Sequence, residues 1–336
     1  MKRSWKIEAL RFIATMGIAI FHFEWIYIGH PVYFQHFYLW VEFFFVLSGF
    51  FLAKNCKEKK QSALNYTWQH VKKLWPQYII AFVFSFVVYC FVNKISGHAV
   101  LGVLWKTKWE MIFFQLFGFD ANAPVINGVT GYIPALLVGS LIIYYFLDKY
   151  YEITVNLFAP ILPIMIYAHM INTYGNISQW MEYEDWCTIG CLRGIAGILI
   201  GVLAYEIGRK RMSGGGFCIC VKAICSILIV MLVVERKMIT YNDELIYPYV
   251  FGMLLISIYF GKTKYAISIT VRNLFIYLGK ISYTIFLMHY GICYIFLMNK
   301  KKYSNWKIES VYLIVVISVA IVMDWLEQRT RKFLKI

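Results

Sequence analysis

Long apolar stretches follow one another along this chain of 336 residues, and short polar segments separate them. A helix needs roughly 20 apolar residues to cross a bilayer, where its backbone groups must pair within the segment. Charged residues make up 15% of the chain, whereas soluble domains carry about 25%. The sequence therefore predicts an all-α, polytopic membrane helical bundle of about ten transmembrane helices. The predicted spans are 7–29, 36–54, 74–95, 132–149, 153–171, 188–208, 217–234, 245–261, 275–298 and 308–327.

The basic residues indicate the orientation. With both termini in the cytoplasm, most of the 33 Lys and Arg residues fall in cytoplasmic loops and tails, as the positive-inside rule requires. The net charge of +15 then needs no nucleic acid, because no basic patch is interleaved with aromatic residues in a polar domain. Residues 55–73 mix basic and apolar side chains, which favours an amphipathic segment on the cytoplasmic surface. We expect one membrane domain over residues 1–336, without an appended soluble domain, in contact with the lipids of the cell (cytoplasmic) membrane.

Arg11 and His22 are ionisable residues inside the first apolar stretch. Such residues are costly in a membrane and usually face a protein interior or an aqueous cavity where they take part in function. Eleven positions at about 100° per residue place both on nearly the same helix face, roughly 16 Å apart along the axis. We expect them to line one cavity at two depths. His22 could be a general base, a metal ligand or a buried histidine satisfied by a neighbouring helix, and its position on the same face as Arg11 favours a functional role.

The second predicted span contains Glu42 and the pair Ser48-Gly49. Small residues allow two helices to approach closely, and we interpret Ser48-Gly49 chiefly in that way. Glu42 could pair with Arg11 or orient His22. Arg193, near the outer end of the sixth span, could snorkel to the headgroups or steer an anionic substrate.

Two further groups lie near the cytoplasmic ends of spans. Lys72 and Lys73 could hold phosphates of a nucleotide-like cofactor, or they could be a positive-inside anchor. Tyr283 and His289 lie in the ninth span, and His289 is about 15 residues from its cytoplasmic end, as His22 is in the first. Both histidines therefore lie roughly 20 Å deep and could share a cavity.

No metal site is expected from the eight cysteines. Cys187 and Cys191 are four positions apart, but no histidine accompanies them at zinc-binding spacing. Most cysteines lie within or beside apolar stretches, where a thiol behaves as a small hydrophobic group.

Four segments together resemble the acyltransferase-3 family of integral membrane O-acyltransferases. Arg11 and His22 match an Arg-x10-His motif of the first helix, and residues 42–50 resemble a Phe-Phe-Val-Leu-Ser-Gly-Phe segment. Residues 73–76 stand where the family usually has Arg-Leu-Tyr-Pro. Residues 282–289 are similar to a late Ser-Tyr-x-x-Tyr-Leu-x-His motif. The order and spacing agree across essentially the whole chain.

The resemblance implies transfer of an acyl group, usually acetyl, from cytosolic acyl-CoA to a hydroxyl of a cell-envelope glycan or lipid-linked sugar. His22 would take the proton of the acceptor hydroxyl or relay the acyl group. Arg11 would bind the pantetheine or pyrophosphate of CoA or polarise the thioester, and Lys72 and Lys73 would hold its phosphates. Glu42 would belong to the catalytic group. The substrate cavity would include Ser48, Arg193, Tyr283 and His289.

Two other interpretations remain open at the level of sequence. The first is a transporter that exports a glycan lipid, with Arg11, His22, Glu42 and His289 along a proton or substrate path. The second is a membrane scaffold without chemistry, which leaves the charged positions inside the spans unexplained. The residues do not distinguish acetyl from succinyl or longer acyl groups, and they do not identify the acceptor.

Overall fold

The computed structural model of the protein describes most of the chain, and every structural statement below concerns the described residues. These are residues 4–32, 35–59, 61–111, 124–180, 182–184, 187–211, 221, 223–230, 241–261, 267–298 and 306–334. Eight helices among them are long and apolar enough to cross a membrane. This confirms the predicted all-α helical bundle.

The helices follow the predicted apolar stretches. They are α1 (Trp5–Ile28), α2 (Trp40–Glu58), α3 (Ala63–Val92), α4 (His98–Lys106), α5 (Lys108–Met111), α6 (Tyr132–Lys149), α7 (Tyr151–Ile153), α8 (Ala159–Tyr174), α9 (Ile189–Arg211), α10 (Ile246–Tyr259), α11 (Ile269–Leu297) and α12 (Trp306–Leu334). Shorter elements are 3-10 helices at Phe37–Leu39 and Tyr241–Leu245, a π-helical segment at Thr154–Phe158 that joins α7 to α8, and the antiparallel strands β1 (Tyr183–Glu184) and β2 (Cys187–Thr188).

Two of the ten predicted spans are not among these eight. The stretch 245–261 forms α10, which has 14 residues and is shorter than the roughly 20 that a perpendicular crossing needs. Of the stretch 217–234, residues 221 and 223–230 are helical, and the rest lies outside the described residues.

Local sequence signals fix several helix ends. The Ser62 side chain accepts a hydrogen bond from the Asn65 backbone N–H at 3.2 Å and so caps the start of α3. At the other end of a helix, Gly29 follows α1 with φ of 102°, and its N–H bonds the carbonyl of Trp25. Only glycine adopts this left-handed conformation without strain.

The predicted surface segment 55–73 is wrong as a separate element. Helix α2 continues to Glu58, and α3 begins at Ala63 and runs as one helix of 30 residues. It continues through Pro76, although proline cannot supply the backbone N–H for a bond to the preceding turn. Lys72 and Lys73 therefore lie within α3, about three turns from its start, and Lys57 belongs to α2.

Two helix pairs form the centre of the bundle: α1 packs most extensively on α11, and α2 on α9. The second contact depends on glycine, because a Cβ atom on Gly49 would overlap the carbonyl group of Ile198, and one on Gly201 would overlap that of Val46. The predicted close approach at Gly49 is thus confirmed. These crossings hold the polar residues of α1, α2, α9 and α11 at fixed positions inside the bundle.

Candidate active site

Two of the cavities that the described residues line contain residues singled out from the sequence. The Arg11 cavity, of about 370 Å³, lies by the first turns of α1 and α3 and is lined by Arg11, Ser48, Lys73 and Tyr283, among others. The His22 cavity, of about 740 Å³, lies by the opposite end of α1. The expectation that Arg11 and His22 line one cavity is therefore wrong.

Aromatic rings lie where the two cavities meet. Tyr132 and Phe286 line both cavities, Phe44 lines the Arg11 cavity, and Phe45 lines the His22 cavity. The Tyr132 ring lies 4.5 Å from that of Phe45 and 5.4 Å from that of Phe286, between centroids. We call these four rings the aromatic partition. They come from α2, α6 and α11, so no pattern within the first helix could have predicted them.

His22 and His289 are in direct contact across α1 and α11. The distance between His22 Nδ1 and His289 Nε2 is 3.0 Å, and the ring centroids are 5.2 Å apart. The two histidines were predicted to lie at the same depth in the bundle, and their contact agrees with that prediction. Only His22, which is partly exposed, lines the His22 cavity, whereas His289 is fully buried behind it.

The neighbours of His289 determine which nitrogens carry protons. His289 Nδ1 lies 3.2 Å from the Ile285 carbonyl oxygen, which can only accept, so this nitrogen carries the proton. In a neutral ring, His289 Nε2 is then an acceptor, and His22 Nδ1 donates to it. The remaining nitrogen of His22, Nε2, keeps its lone pair and can act as a base.

The aromatic and polar groups around His289 hold it in place. The Tyr312 hydroxyl lies 3.2 Å from the His289 carbonyl oxygen and 3.3 Å from that of Ala19, so α12 bridges α1 and α11 at this level. The Asn127 amide donates to the Leu287 carbonyl at 2.8 Å and connects the loop before α6 to the same turn of α11. Tyr312 and Asn127 thus support the histidine pair from two sides.

The structure gives Glu42 different partners from those expected. Its carboxylate accepts hydrogen bonds from Arg193 Nε and from the Tyr167 hydroxyl, and it contacts neither Arg11 nor His22. Glu42 has these partners because it lies on the face of α2 that packs against α9, where it is completely buried. A buried ion pair requires additional hydrogen bonds to offset its desolvation, and Tyr167 supplies one of them.

Arg193 is buried and lines the His22 cavity, so it does not snorkel to the headgroups. Its Nη1 donates to the Ser178 carbonyl at 2.9 Å. Its Nη2 is buried without a hydrogen-bond partner among the described residues. An unsatisfied buried donor costs about 1–3 kcal/mol, so this nitrogen is suited to bind an oxygen of a ligand.

The Arg11 cavity separates the two adjacent lysines. Lys73 lines it, whereas Lys72 does not, and the Lys72 ammonium lies 5.5 Å from the centroid of the Trp68 ring. Successive helix residues point about 100° apart, and the rotation of α3 turns Lys73 towards the cavity and Lys72 away from it. Arg11 Nη1 lies 3.4 Å from Glu8 Oε2, and this buried carboxylate was not identified from the sequence.

Glu110 is another residue that the sequence did not single out. Its carboxylate accepts from the backbone N–H groups of Ile126 and Asn127 and from the Thr130 hydroxyl, at 2.9 to 3.0 Å. This fixes the loop whose residues 128, 129 and 131 line the His22 cavity. Burial raises the pKa of Glu110 to about 7, and the hydrogen bonds oppose that shift.

Glu244 plays a similar part on the other side of the His22 cavity. It accepts from the Tyr38 hydroxyl and, at 2.9 Å, from the Ile177 backbone N–H, and burial raises its pKa. These bonds hold the segment 176–180, and Asn176 and Trp180 of this segment line the His22 cavity. Nothing near Glu244 in the sequence indicates this partner, which is 67 residues away.

A family model described as an acyltransferase domain, of the acyltransferase-3 family, matches residues 5–325. The chain belongs to this family. The protein is accordingly a multi-pass membrane acyltransferase, as the four motifs predicted. No curated protein and no solved structure matches the chain. Within the described residues, no group of three or more His, Cys, Asp or Glu side chains is placed to hold a metal ion.

Proposed function

We propose that this acyltransferase moves an acetyl group from acetyl-CoA in the cytosol to a hydroxyl of a cell-envelope glycan or lipid-linked saccharide. The observation that carries the proposal is the histidine pair, in which His289 holds His22 with one basic nitrogen at a large cavity. The protein would act in the cytoplasmic membrane, with α1 beginning on the cytosolic side.

His22 acts as the general base in this proposal. Its Nε2 takes the proton of the acceptor hydroxyl while the hydroxyl oxygen attacks the thioester carbonyl. The carbon–oxygen bond forms, the carbon–sulfur bond breaks, and the protonated His22 returns its proton to the CoA thiolate. A histidine has a pKa suited to proton transfer near neutral pH, and such catalysis typically contributes about 10²–10⁴-fold.

The Arg11 cavity supports binding of the donor. Arg11 and Lys73 line it, and cationic side chains bind the phosphates or polarise the carbonyl of an acyl-CoA. Apolar residues such as Leu47 and Leu136 line the same cavity and suit the pantetheine arm. Lys73 is the binding residue in this proposal, because Lys72 lies outside the cavity.

The His22 cavity supports binding of a sugar acceptor. Trp25 and Trp180 offer aromatic faces, while Asn176 and Gln179 offer amide groups that bond hydroxyls. Arg193 would donate its Nη2 hydrogens to an acceptor oxygen. Cavities that combine apolar faces with a few convergent polar groups are typical of small-molecule sites.

The test is acetyl-CoA turnover by the purified protein in nanodiscs, measured as CoA released in the presence of cell-envelope glycan. We expect His22→Ala to reduce turnover by about 10²–10⁴-fold, because the general base is lost. His98→Ala is the matched control, since His98 is exposed on α4 and lines neither cavity.

Equal turnover by wild type and His22→Ala would contradict the catalytic role of His22. Movement of a glycan lipid across proteoliposomes without acyl-CoA would instead favour a transporter. Acetyl, succinyl and longer donors are compared in the same assay, and mass spectrometry of the modified glycan identifies the acceptor hydroxyl.

A further inference from the structure

The aromatic partition separates a cavity with cationic residues from one with the catalytic base. Its rings form a continuous group, in which Phe44 lies 6.2 Å from Phe286 and 6.3 Å from Tyr132 between centroids. Neighbouring aromatic rings at such distances interact favourably and fill the space between helices. An acyl group that moves from the Arg11 cavity to the His22 cavity therefore has to pass these rings.

Tyr132 and Phe286 lie at the boundary between the two cavities, because they are the two side chains that line both. Phe286 lies in the middle of α11 and is buried, so its backbone position is fixed. Tyr132 is the first residue of α6, and its side chain is partly buried. The ring of Tyr132 is thus held at the end of a helix, whereas that of Phe286 is held in the middle of one.

We propose that Tyr132 and Phe286 are specificity-determining residues, whose rings admit a short acyl group to His22 and exclude longer ones. The inference rests on the proposed function, in which acyl-CoA binds in the Arg11 cavity. The thioester passes the rings intact. Its carbon–sulfur bond breaks only at His22, where the acceptor oxygen forms the new bond and the CoA thiolate takes the proton from His22.

The size of the effect follows from the steric nature of the restriction. A longer acyl chain adds methylene groups that must be accommodated at the same two rings. Discrimination by one methylene group in a confined site is typically about 10–200-fold. Butyryl-CoA has two more carbons than acetyl-CoA, so wild type should strongly prefer acetyl-CoA, and a smaller residue 286 should relax that preference.

The experiment compares kcat/KM for acetyl-CoA, butyryl-CoA and octanoyl-CoA in wild type, Phe286→Leu, Phe286→Ala and Tyr132→Leu. We expect the butyryl-to-acetyl ratio to rise about tenfold or more in each variant. Tyr132→Phe keeps the ring and should leave the ratio within about twofold of wild type. Phe286→Leu retains most of the side-chain volume, so it provides a folded variant if Phe286→Ala does not fold.

Phe82→Ala is the control for loss of a buried ring, because Phe82 on α3 is buried but lines neither cavity. It should lower thermal stability and leave the donor ratio unchanged. An unchanged ratio in folded, active Phe286→Leu and Tyr132→Leu would overturn the inference and leave the proposed function standing. A wild-type protein that turns over none of the three donors would overturn the proposed function itself.

Discussion

Replacement of His289 by Phe tests whether this residue orients His22. The substitution keeps a ring of similar size in the buried site but removes the acceptor for His22 Nδ1, which now lies 3.0 Å away. A buried donor left without a partner costs about 1–3 kcal/mol. His22 can avoid that cost by rotating or by moving its proton to Nε2, and both changes remove the base from the reaction.

If this cost is expressed in the transition state, kcat should fall by about 10–100-fold, since each 1.36 kcal/mol is a factor of ten. The KM for acetyl-CoA should change little, because the donor binds in the other cavity in our proposal. His289→Gln places an amide oxygen near the position of Nε2 and should recover most of the rate.

The assay is steady-state CoA release by purified variants whose thermal unfolding matches that of wild type. The decisive comparison is a double-mutant cycle: in a His22→Ala background, His289→Phe should have no further effect on kcat. The orienting role would be refuted if His289→Phe lowered kcat equally in both backgrounds, or if His289→Gln were as impaired as His289→Phe.

Three further results are expected. Glu42→Gln breaks a buried ion pair and should lower the free energy of unfolding by about 3–5 kcal/mol in a thermal-denaturation assay. The control is Glu58→Gln on the same helix, which should change that free energy by less than about 1 kcal/mol because the Glu58 carboxylate is exposed. Lys73→Gln should raise the KM for acetyl-CoA about tenfold or more, whereas Lys72→Gln should leave it near wild type, because only Lys73 of the two lines the Arg11 cavity. Equal effects of the two substitutions on KM would contradict a donor site in this cavity. Burial raises the pKa of Glu110 from its unfolded value of 4.5 to about 7, so the folded protein binds more protons than the unfolded chain between these two pH values. The free energy of unfolding should therefore fall by up to about 3 kcal/mol as the pH rises through this range, and pH-dependent melting of Glu110→Gln should lack that loss.

Hydropathy predicted most of the fold because membrane-spanning helices are local: each satisfies its own backbone hydrogen bonds. Helix length was enough to place His22 and His289 at one depth, and the two residues do touch. The same reasoning predicted a span at 245–261, where α10 has 14 residues and follows directly on a 3-10 helix. The depth of a residue along a helix can be counted from the sequence, but the ends and the tilt of the helix in the bundle cannot be read from it.

The partners of the buried charged residues were not predictable in the same way. Glu42 pairs with Arg193, 151 residues away, because of the face it presents to α9. Lys72 and Lys73 carry the same charge in the sequence, and only the rotation of α3 distinguishes them. The rings at Tyr132 and Phe286 have ordinary hydrophobic surroundings in the sequence, and their role becomes visible when three helices are placed together.

The aromatic partition also has an electrical consequence. A membrane that stores energy as a voltage cannot contain an open aqueous channel, since each elementary charge that crosses 100 mV dissipates about 2.3 kcal/mol. The Arg11 cavity and the His22 cavity lie by opposite ends of α1, and the rings of Tyr132 and Phe286 line both, so the proposed mechanism requires these rings to keep ions in one cavity from reaching the other. In the proposed mechanism, the rings that an acyl group passes would thus also be the electrical seal of the protein.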